Sequence, residues 1–419
     1  MYAMRRNIYD QMIIVLIVCS VFGYLGGFLY QPIILMTLFF FPKLIQNVGF
    51  FRFSTYKKTL LIFILLFAYA AVSIFWAPVF KSSLILLIRA AVHIIMCLEI
   101  IVFSQRAAHP LDSIAKGWIY AFLLTSVVAA WEMVTDHHLM VIAHQDMVFD
   151  VERHRAAVTF YNNNTYSLFV IFSLPFLLYR TMRARGDFHR LLLFLTLLIL
   201  ISIILLNASR AALLCLVIMG GVYMYFVFKQ GDKGKKRSVM LVAGIIALFL
   251  LLVGSFLLEA LLSRIADKDL FQDNIRIILW GVSWELFMQS HGFGQGFGGM
   301  VGAMSSYPGN PSDIDYSHNL ILQLLLEGGV LFGGVFLIFL FKLFKSARKQ
   351  KDPSRKMFLW AVLLSFPLYS ILNSEYVSPT FIWLFFVSVY VFSSYPALGT
   401  RQIQIIRPGV RHASSLQTI

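Results

Sequence analysis

The sequence predicts an all-α integral membrane protein with about twelve transmembrane helices. Of its 419 residues, 59% are hydrophobic and only 13% are charged, and 40 are Phe, which is more apolar surface than the core of a water-soluble domain uses. Apolar runs of about 17–25 residues, the length that crosses a bilayer, recur along the chain. Basic residues cluster in alternate connections between these runs, as in multi-pass proteins. These three observations define the fold class.

The predicted spans follow the apolar runs in order. The first two are the least distinct because Gly23, Gly26, Gly27 and Pro32 interrupt them. Arg5 and Arg6 precede the first run, which lacks a small-residue cleavage site and therefore predicts an uncleaved anchor. The runs cover 11–26, 28–45, 59–77, 82–104, 112–134, 159–179, 190–207, 210–228, 238–258, 319–342, 357–373 and 380–396.

The distribution of charge predicts the orientation. With a cytoplasmic N-terminus, every basic cluster lies on the cytoplasmic side of the inner membrane, and so does the C-terminus. The net charge of +15 is then a topology signal, and no basic soluble domain suggests a nucleic-acid partner. Residues 1–396 form a single membrane domain, and the polar tail 397–419 is predicted to be disordered. The long outer connections, 135–158 and 259–318, carry mainly acidic residues.

The connection 259–318 contains a helical pattern. Apolar residues in 274–288 recur at helical spacing, with Trp280 and Trp284 four apart, which predicts an interfacial or re-entrant helix. A glycine-rich run, 292–299, follows it. These glycines could let backbone amides approach an anion or a sugar, or they could form a flexible loop tip. The sequence leaves both interpretations open.

A polar stripe enters the tenth predicted span. Asn319, Gln323 and Glu327 are spaced four apart and share one helix face. A carboxylate inside a spanning helix costs roughly 2.5–3.5 kcal/mol, so this face should meet protein or a wet cavity. His318 begins the helix after Ser317, a plausible cap. A histidine at a helix N-terminus tends to stay neutral and can accept a proton.

Other polar residues on the outer side each have a functional and a structural interpretation. Arg210 starts a helix, where its guanidinium could bind phosphate, or it could be a snorkelling interface residue. Arg276 could also bind phosphate, or it could lie on a solvated helix face. Arg89, beside His93, is an intramembrane arginine that could be functional or paired with Glu132. Residues 162–164, three asparagines, could bind sugar hydroxyls or cap a helix.

The order of these motifs resembles the O-antigen ligase and polymerase superfamily. The resemblance rests on Ser209-Arg210, on Arg276 and Trp280 before the glycine-rich run, and on His318-Asn319 followed by Gln323, Glu327 and Gly329. It covers about 160–345 in motif detail. The chain departs from the pattern at 289–291, Gln-Ser-His, where relatives often have Pro-Leu.

The resemblance implies a membrane glycosyltransferase with a GT-C-like architecture. Such proteins move a glycan from an undecaprenyl diphosphate donor to a hydroxyl group, with inversion and without a metal or another cofactor. The acceptor is lipid A–core in a ligase, or another lipid-linked repeat unit of O-antigen, capsule or exopolysaccharide in a polymerase. A flippase and a chain-length regulator are implied partners.

The site residues carried over from the family have distinct roles. Arg210 and Arg276 would hold the donor diphosphate, with Arg89 as a third cation, and His318 would take the acceptor proton. Fixed cations would be needed because the departing diphosphate gains negative charge and the resemblance implies a reaction without a metal. The supporting or sugar-binding candidates are Ser209, Asn162, Asn164, Asn319, Gln323 and Glu327.

A transporter or lipid-linked glycan flippase is the alternative of another class. It predicts two similar halves, broken helices near the midplane and buried ion-coupling carboxylates. Acidic residues inside the predicted spans are few, among them Glu99, Glu132 and Glu327, and no internal repeat is visible. The sequence therefore favours glycan transfer. The modest outer loop, with no core-binding domain, favours polymerase over ligase.

Overall fold

The computed structural model describes residues 2–22, 31–48, 53–139, 155–160, 162–207, 209–230, 269–308, 310, 315–372 and 375–395. All regular elements within these ranges are helical. The α-helices are α1 (Tyr2–Cys19), α2 (Pro32–Val48), α3 (Phe53–Ser73), α4 (Phe80–Arg106), α5 (Pro110–Thr135), α6 (Asn163–Arg183), α7 (Asp187–Asn207), α8 (Arg210–Gln230), α9 (Asp269–Gln289), α10 (Met300–Ser305), α11 (Leu320–Lys349), α12 (Pro353–Tyr369) and α13 (Thr380–Ser394).

These helices confirm the predicted class of α-helical membrane protein. By length and hydropathy, seven described helices can cross a membrane: one beginning at Lys58 within α3, then α4 to α8 and α11. Three shorter apolar helices correspond to α1, α2 and α13. The predicted span 238–258 and the predicted tail 397–419 lie outside the described residues. The number of twelve spans therefore stays a prediction.

α6 is the central helix of the bundle. In its most apolar window, 94% of the residues are buried, because α5, α7, α8 and α12 surround it. Aromatic rings fill its contacts with neighbouring helices. Trp118 of α5 stacks on Phe176 with ring centroids 5.2 Å apart, and Phe172 stacks on Phe385 of α13 at 3.7 Å. Ring packing of this kind gives the bundle a rigid centre.

α12 starts and ends four residues before the predicted span 357–373. Asp352 caps it, since its Oδ1 accepts hydrogen bonds from the backbone N–H groups of Ser354 (2.9 Å) and Arg355 (3.4 Å). Pro353 occupies the first turn, where a missing N–H costs nothing. The predicted span began at the first apolar residues, because hydropathy detects only those. The helix begins earlier because its polar first turn is stabilised by the cap.

Buried polar side chains fix the helix ends to one another. Asp10 of α1 accepts hydrogen bonds from the N–H groups of Ala108 (3.0 Å) and His109 (3.1 Å) at the start of α5. Arg355, at the start of α12, donates to the carbonyl groups of Phe392 (2.6 Å) and Tyr395 (2.7 Å) at the end of α13. Each bond satisfies a backbone group that a helix terminus leaves open.

Candidate functional site

α11 is broken at Gly328 and Gly329, eight residues after its start. The backbone dihedrals there are φ −136°, ψ 15° and φ 60°, ψ −156°, which are not helical. The break frees backbone groups that need other partners. The N–H of Gln295 donates to the carbonyl of Leu326 (2.6 Å), and the N–H of Val330 donates to the carbonyl of Gly292 (2.9 Å). The predicted continuous span 319–342 is therefore two segments, 320–327 and 330–349.

The glycine-rich run 292–299 packs against the protein itself. The N–H of Phe297 donates to Ser73 Oγ of α3 (2.9 Å), and the N–H of Gly294 donates to Ser290 Oγ (2.8 Å). Gly294 has φ 77°, and a Cβ there would lie 2.7 Å from the backbone nitrogen of Gly329. The close approach that the glycines permit is thus to α11. An approach of its other backbone amides to an anion or a sugar stays a prediction.

The polar stripe of α11 faces protein, as predicted. Gln323 and Glu327 are 0% and 2% exposed. Glu327 Oε2 accepts a short hydrogen bond from the N–H of Gly298, and Gln323 Oε1 accepts one from the N–H of Tyr376 (2.7 Å). Their proposed role in sugar binding stays a prediction, but these two oxygens already have protein partners.

Asn319, and not Ser317, caps α11. Asn319 Oδ1 accepts hydrogen bonds from the N–H groups of Ile321 (2.9 Å) and Leu322 (3.2 Å). Ser317 is buried, and its hydroxyl donates to the carbonyl of Asn319 (3.0 Å), which closes a tight turn around His318. The helix therefore starts at Leu320, two residues later than His318, where the sequence placed its start.

His318 lies inside this turn with φ 48°, in the left-handed region that residues with a side chain rarely adopt. Such strain persists only where the surroundings enforce it, and it concentrates at functional sites. Burial, and then the positive charge of Arg276, lower the pKa of His318 to about 4. The imidazole is therefore neutral near pH 7, as predicted, although the cause is burial and Arg276.

Arg276 reaches His318 because α9 packs on α11. The helix predicted over 274–288 is present as α9. Its apolar face, including Leu279 and Leu286, meets Leu326 of α11 and Met304 of α10 in one buried cluster. Arg276, one turn before this contact, is half-buried. Ile275, next to Arg276, and Tyr316, two residues before His318, both pack against this cluster, so Arg276 and His318 lie on the same side of the contact between α9 and α11.

Arg210 lies at the same end of the bundle as His318. The thiol of Cys215 in α8 lies 3.9 Å from the carbonyl oxygen of Ser365 in α12, so the start of α8 is level with the end of α12. The end of α12 in turn meets the start of α11, where the N–H of Leu320 donates to the carbonyl of Ser370 (2.8 Å). Arg210 itself is exposed. A shared diphosphate contact with Arg276 stays a prediction.

Asparagines hold the neighbouring helix termini. Asn162 Oδ1 accepts the N–H of Asn164 (2.7 Å), which makes it the cap of α6, the structural role weighed from the sequence. Asn207, which precedes the Ser209-Arg210 motif, has a structural role: its side chain accepts the N–H of Ala156 (2.9 Å) and donates to Ser167 Oγ (3.3 Å). Ser209, just after it, is buried. Sugar contacts for Asn162, Asn164 and Ser209 stay predictions.

Glu132 binds backbone groups on both described sides of the connection between α5 and α6. Its carboxylate accepts three backbone hydrogen bonds, from Leu139 (2.9 Å), Ala157 (2.8 Å) and Val158 (2.9 Å). The charge of Arg89 acts on Glu375, in the connection between α12 and α13.

Glu375 belongs to an acidic side of the site that sequence reasoning missed. Burial raises its pKa, while its hydrogen bonds to Ser378 and the charge of Arg89 partly offset that rise. Burial, followed by the negative charges of Glu375, Asp315 and Glu327, raises the pKa of Tyr316 to about 12. The sequence offered one signal for this residue. Glu375 is a single acidic residue in a short connection, on the same predicted outer side as His318.

The described geometry defines a multi-pass helical membrane protein with a neutral histidine, a cation and an acidic side at one end of its bundle. Residues 194–340 match a family model described as O-Antigen ligase, and this region contains Arg210, Arg276 and His318. The chain is also 25% identical over 354 residues to the teichuronic acid biosynthesis protein TuaE of Bacillus subtilis, covering 80% of this chain and 71% of that protein. These matches confirm the resemblance to the O-antigen ligase and polymerase superfamily.

Proposed function

We propose that this protein transfers a glycan from an undecaprenyl diphosphate donor to an acceptor hydroxyl, and that it polymerises repeat units of a surface polysaccharide. The observation that carries the proposal is neutral His318 in a strained turn, close enough to Arg276 for that positive charge to lower the pKa of the imidazole. The reaction would take place on the outer face of the cytoplasmic membrane, with both termini cytoplasmic. A flippase would deliver the donor to this face, and a chain-length regulator would act on the product.

The chemistry needs a base and a cation at the same place. The acceptor oxygen attacks the anomeric carbon, its proton passes to His318, and the carbon–oxygen bond to the diphosphate breaks with inversion. The diphosphate leaves with the electron pair, and Arg276 and Arg210 stabilise its charge. A positioned base contributes typically 10²–10⁴-fold to such a step, and fixed cations act most strongly where water is excluded.

Donor binding would also strengthen the base. In the free protein the charge of Arg276 opposes protonation of His318. A bound diphosphate brings negative charge to Arg276, which removes this opposition and raises the affinity of the imidazole for a proton. His318 would then become an effective base only when the donor is in place, which would limit unproductive hydrolysis.

Ligation to lipid A–core is the second candidate, because the matching family model carries the description O-Antigen ligase. Both reactions use the same donor side, so the acceptor distinguishes them. The test is purified protein in vesicles with a radiolabelled lipid-linked repeat unit. A ladder of longer lipid-linked glycans supports polymerisation, whereas transfer only onto added lipid A–core overturns it in favour of ligation.

The transporter alternative has one supporting feature, the broken helix α11 with buried Glu327. In a transporter, such a break offers its backbone groups to an ion or substrate. Here Gln295 and Gly292 of the loop already hydrogen-bond the backbone groups at the break. The N–H of Gly298 bonds the carboxylate of Glu327. Translocation of a labelled lipid-linked glycan without any change in its covalent structure would overturn glycan transfer.

A further inference from the structure

An apolar groove runs along the bundle between α3, α4, α11 and α13. Its cavity volume is about 550 Å³. Aromatic side chains dominate its walls, among them Phe63, Phe67, Phe332, Phe336, Trp383 and Phe386. The groove is open along part of its length, so a lipid chain could enter it from the side. This shape suits a long, unbranched or methyl-branched hydrocarbon chain.

One end of the groove meets the acidic side of the site. Ala90, Phe297 and Val377 line this end, together with Tyr376, whose N–H bonds Gln323. Tyr376 follows Glu375, and Ala90 follows Arg89. Thr59, Lys342 and Ser393 line the opposite end. A chain lying in the groove would therefore place its head group beside Arg89 and Glu375.

The first segment of α11 separates this groove from the donor side. Leu320 and Leu324 line the groove, whereas Leu326 faces α9 and belongs to the cluster beneath Arg276. The described lining residues come from α3, α4, α11, α13 and the adjoining loops, and include no residue of α8 or α9. A lipid chain attached to a diphosphate at Arg210 and Arg276 would lie on the other face of α11.

We propose that the groove holds the isoprenoid chain of the acceptor, which therefore arrives as a second lipid-linked glycan. This inference rests on the proposed function and specifies its acceptor. A single narrow groove accommodates one chain, whereas a lipid A acceptor carries several acyl chains side by side. Arg89 supplies positive charge at the head of the groove for the acceptor diphosphate, and Glu375 faces the glycan hydroxyls. This assignment replaces the role of third donor cation that the sequence suggested for Arg89. The acceptor hydroxyl then reaches His318 from the side opposite the donor.

Two alanines of α3 provide a matched test. Ala70 is 2% exposed and lines the groove, whereas Ala68, two residues earlier, is exposed. A70W fills the groove, and A68W adds the same side chain outside it. Each full-length variant is assayed in vesicles with a long-chain donor and either a long-chain acceptor or an acceptor whose isoprenoid is cut to two units.

We expect A70W to reduce transfer to the long-chain acceptor by about tenfold or more, through a higher apparent KM, because the buried methylene contacts are lost. Transfer to the short-chain acceptor stays within about twofold of the parent, and A68W matches the parent with both acceptors. Retained short-chain transfer also shows that A70W is folded. Equal use of the long-chain acceptor by A70W and the parent overturns the proposal.

A second measurement uses the unaltered protein. A long-chain acceptor carrying a diazirine at mid-chain is irradiated in the vesicles, and the labelled peptides are identified by mass spectrometry. Labels on α3, α11 or α13 support the proposal, whereas labels confined to α8 or α9, or labelling by the donor alone at the groove, overturn it. Absence of any transfer by the parent protein with either acceptor would instead contradict the proposed function.

Discussion

The carboxylate of Glu327 accepts a hydrogen bond from the backbone N–H of Gly298, across the break in α11. Gly298 lies in the glycine-rich run that follows α9, the helix that carries Arg276. Glu327 ends the helical segment that follows His318. This one bond therefore joins the two chain segments that bring the cation and the imidazole together, and it gives Glu327 a positioning role.

Two substitutions of Glu327 distinguish the contribution of its charge from the contribution of its hydrogen bond to Gly298. Glu327→Gln keeps an oxygen that can accept the Gly298 N–H, so we expect transfer to stay within about fivefold of the parent. Glu327→Ala leaves that N–H without a partner and loosens the two segments, and we expect kcat to fall by about 10²-fold, the usual effect of a small misplacement. Transfer kinetics measure both. If the Gln variant is as inactive as the Ala variant, the charge itself is required.

Replacing His318 removes the proposed base. We expect His318→Ala to lower kcat by 10²–10⁴-fold, because the acceptor proton then has no positioned acceptor. His137→Ala, at an exposed histidine near the same end, is the control and should leave the rate unchanged. Membrane insertion and thermal unfolding confirm that both variants fold. Normal transfer by His318→Ala would exclude this histidine as the base.

The pH dependence of kcat/KM reports the protonation of His318 in the free protein. A general base works in its neutral form, so activity should fall only as pH drops through about 4. Arg276→Gln removes the positive charge that helps to hold the pKa down, and the acid limb should move upward, toward the ordinary value of 6.5. Arg210→Gln should lower the rate without moving the limb. An unmoved limb in the Arg276 variant would contradict the electrostatic link.

The contact between the glycine-rich run and α11 should be sensitive to a single methyl group. Gly294→Ala places a Cβ 2.7 Å from the nitrogen of Gly329, at a φ of 77°. We expect a cost of about 1–3 kcal/mol in stability and a loss of transfer. Gly281→Ala is the matched control, because a Cβ there meets nothing within 4 Å. Thermal unfolding in detergent distinguishes the two; equal midpoints would show that the run is not tightly packed.

Replacing Arg355 tests whether the end of the bundle opposite His318 contributes to the reaction. Its guanidinium is 2% exposed and bonds the carbonyl groups of Phe392 and Tyr395. Arg355→Met leaves those carbonyls open, and we expect a loss of about 1.5–3 kcal/mol in stability. The KM for donor should not change in the folded fraction. A changed KM with unchanged stability would argue against a purely structural role.

Hydropathy and spacing predicted the helices and the burial of the stripe, because both follow from the cost of polar groups in hydrocarbon. They did not predict the break in α11. Gly328 and Gly329 stand in an otherwise apolar run, and the groups that stabilise the break, at Gly292 and Gln295, are more than thirty residues earlier. A tertiary contact of that kind leaves no local pattern in the sequence.

The candidate site was likewise predicted only in part from the sequence. His318 and Arg276 were predicted from motif order, and the charge of Arg276 acts on the pKa of His318. Glu375 was missed, because one carboxylate in a short connection has no periodic signal and its significance comes from Arg89 and Tyr316 beside it. The sequence suggested Ser317 as the cap of α11, whereas Asn319 is the cap in the structure. Either residue type can cap a helix, and only the backbone turn at His318 decides between them.

The break in α11 also constrains the order of biogenesis. During membrane insertion, residues 319–342 leave the translocon as one uninterrupted apolar segment, which enters the bilayer most easily as a straight helix. Its bent form needs the carbonyl of Gly292 and the N–H of Gln295, which dock only once the preceding extramembrane segment has folded back. We therefore expect the end of the protein that contains the candidate site to be assembled after integration, in a step that depends on the folding of the loop.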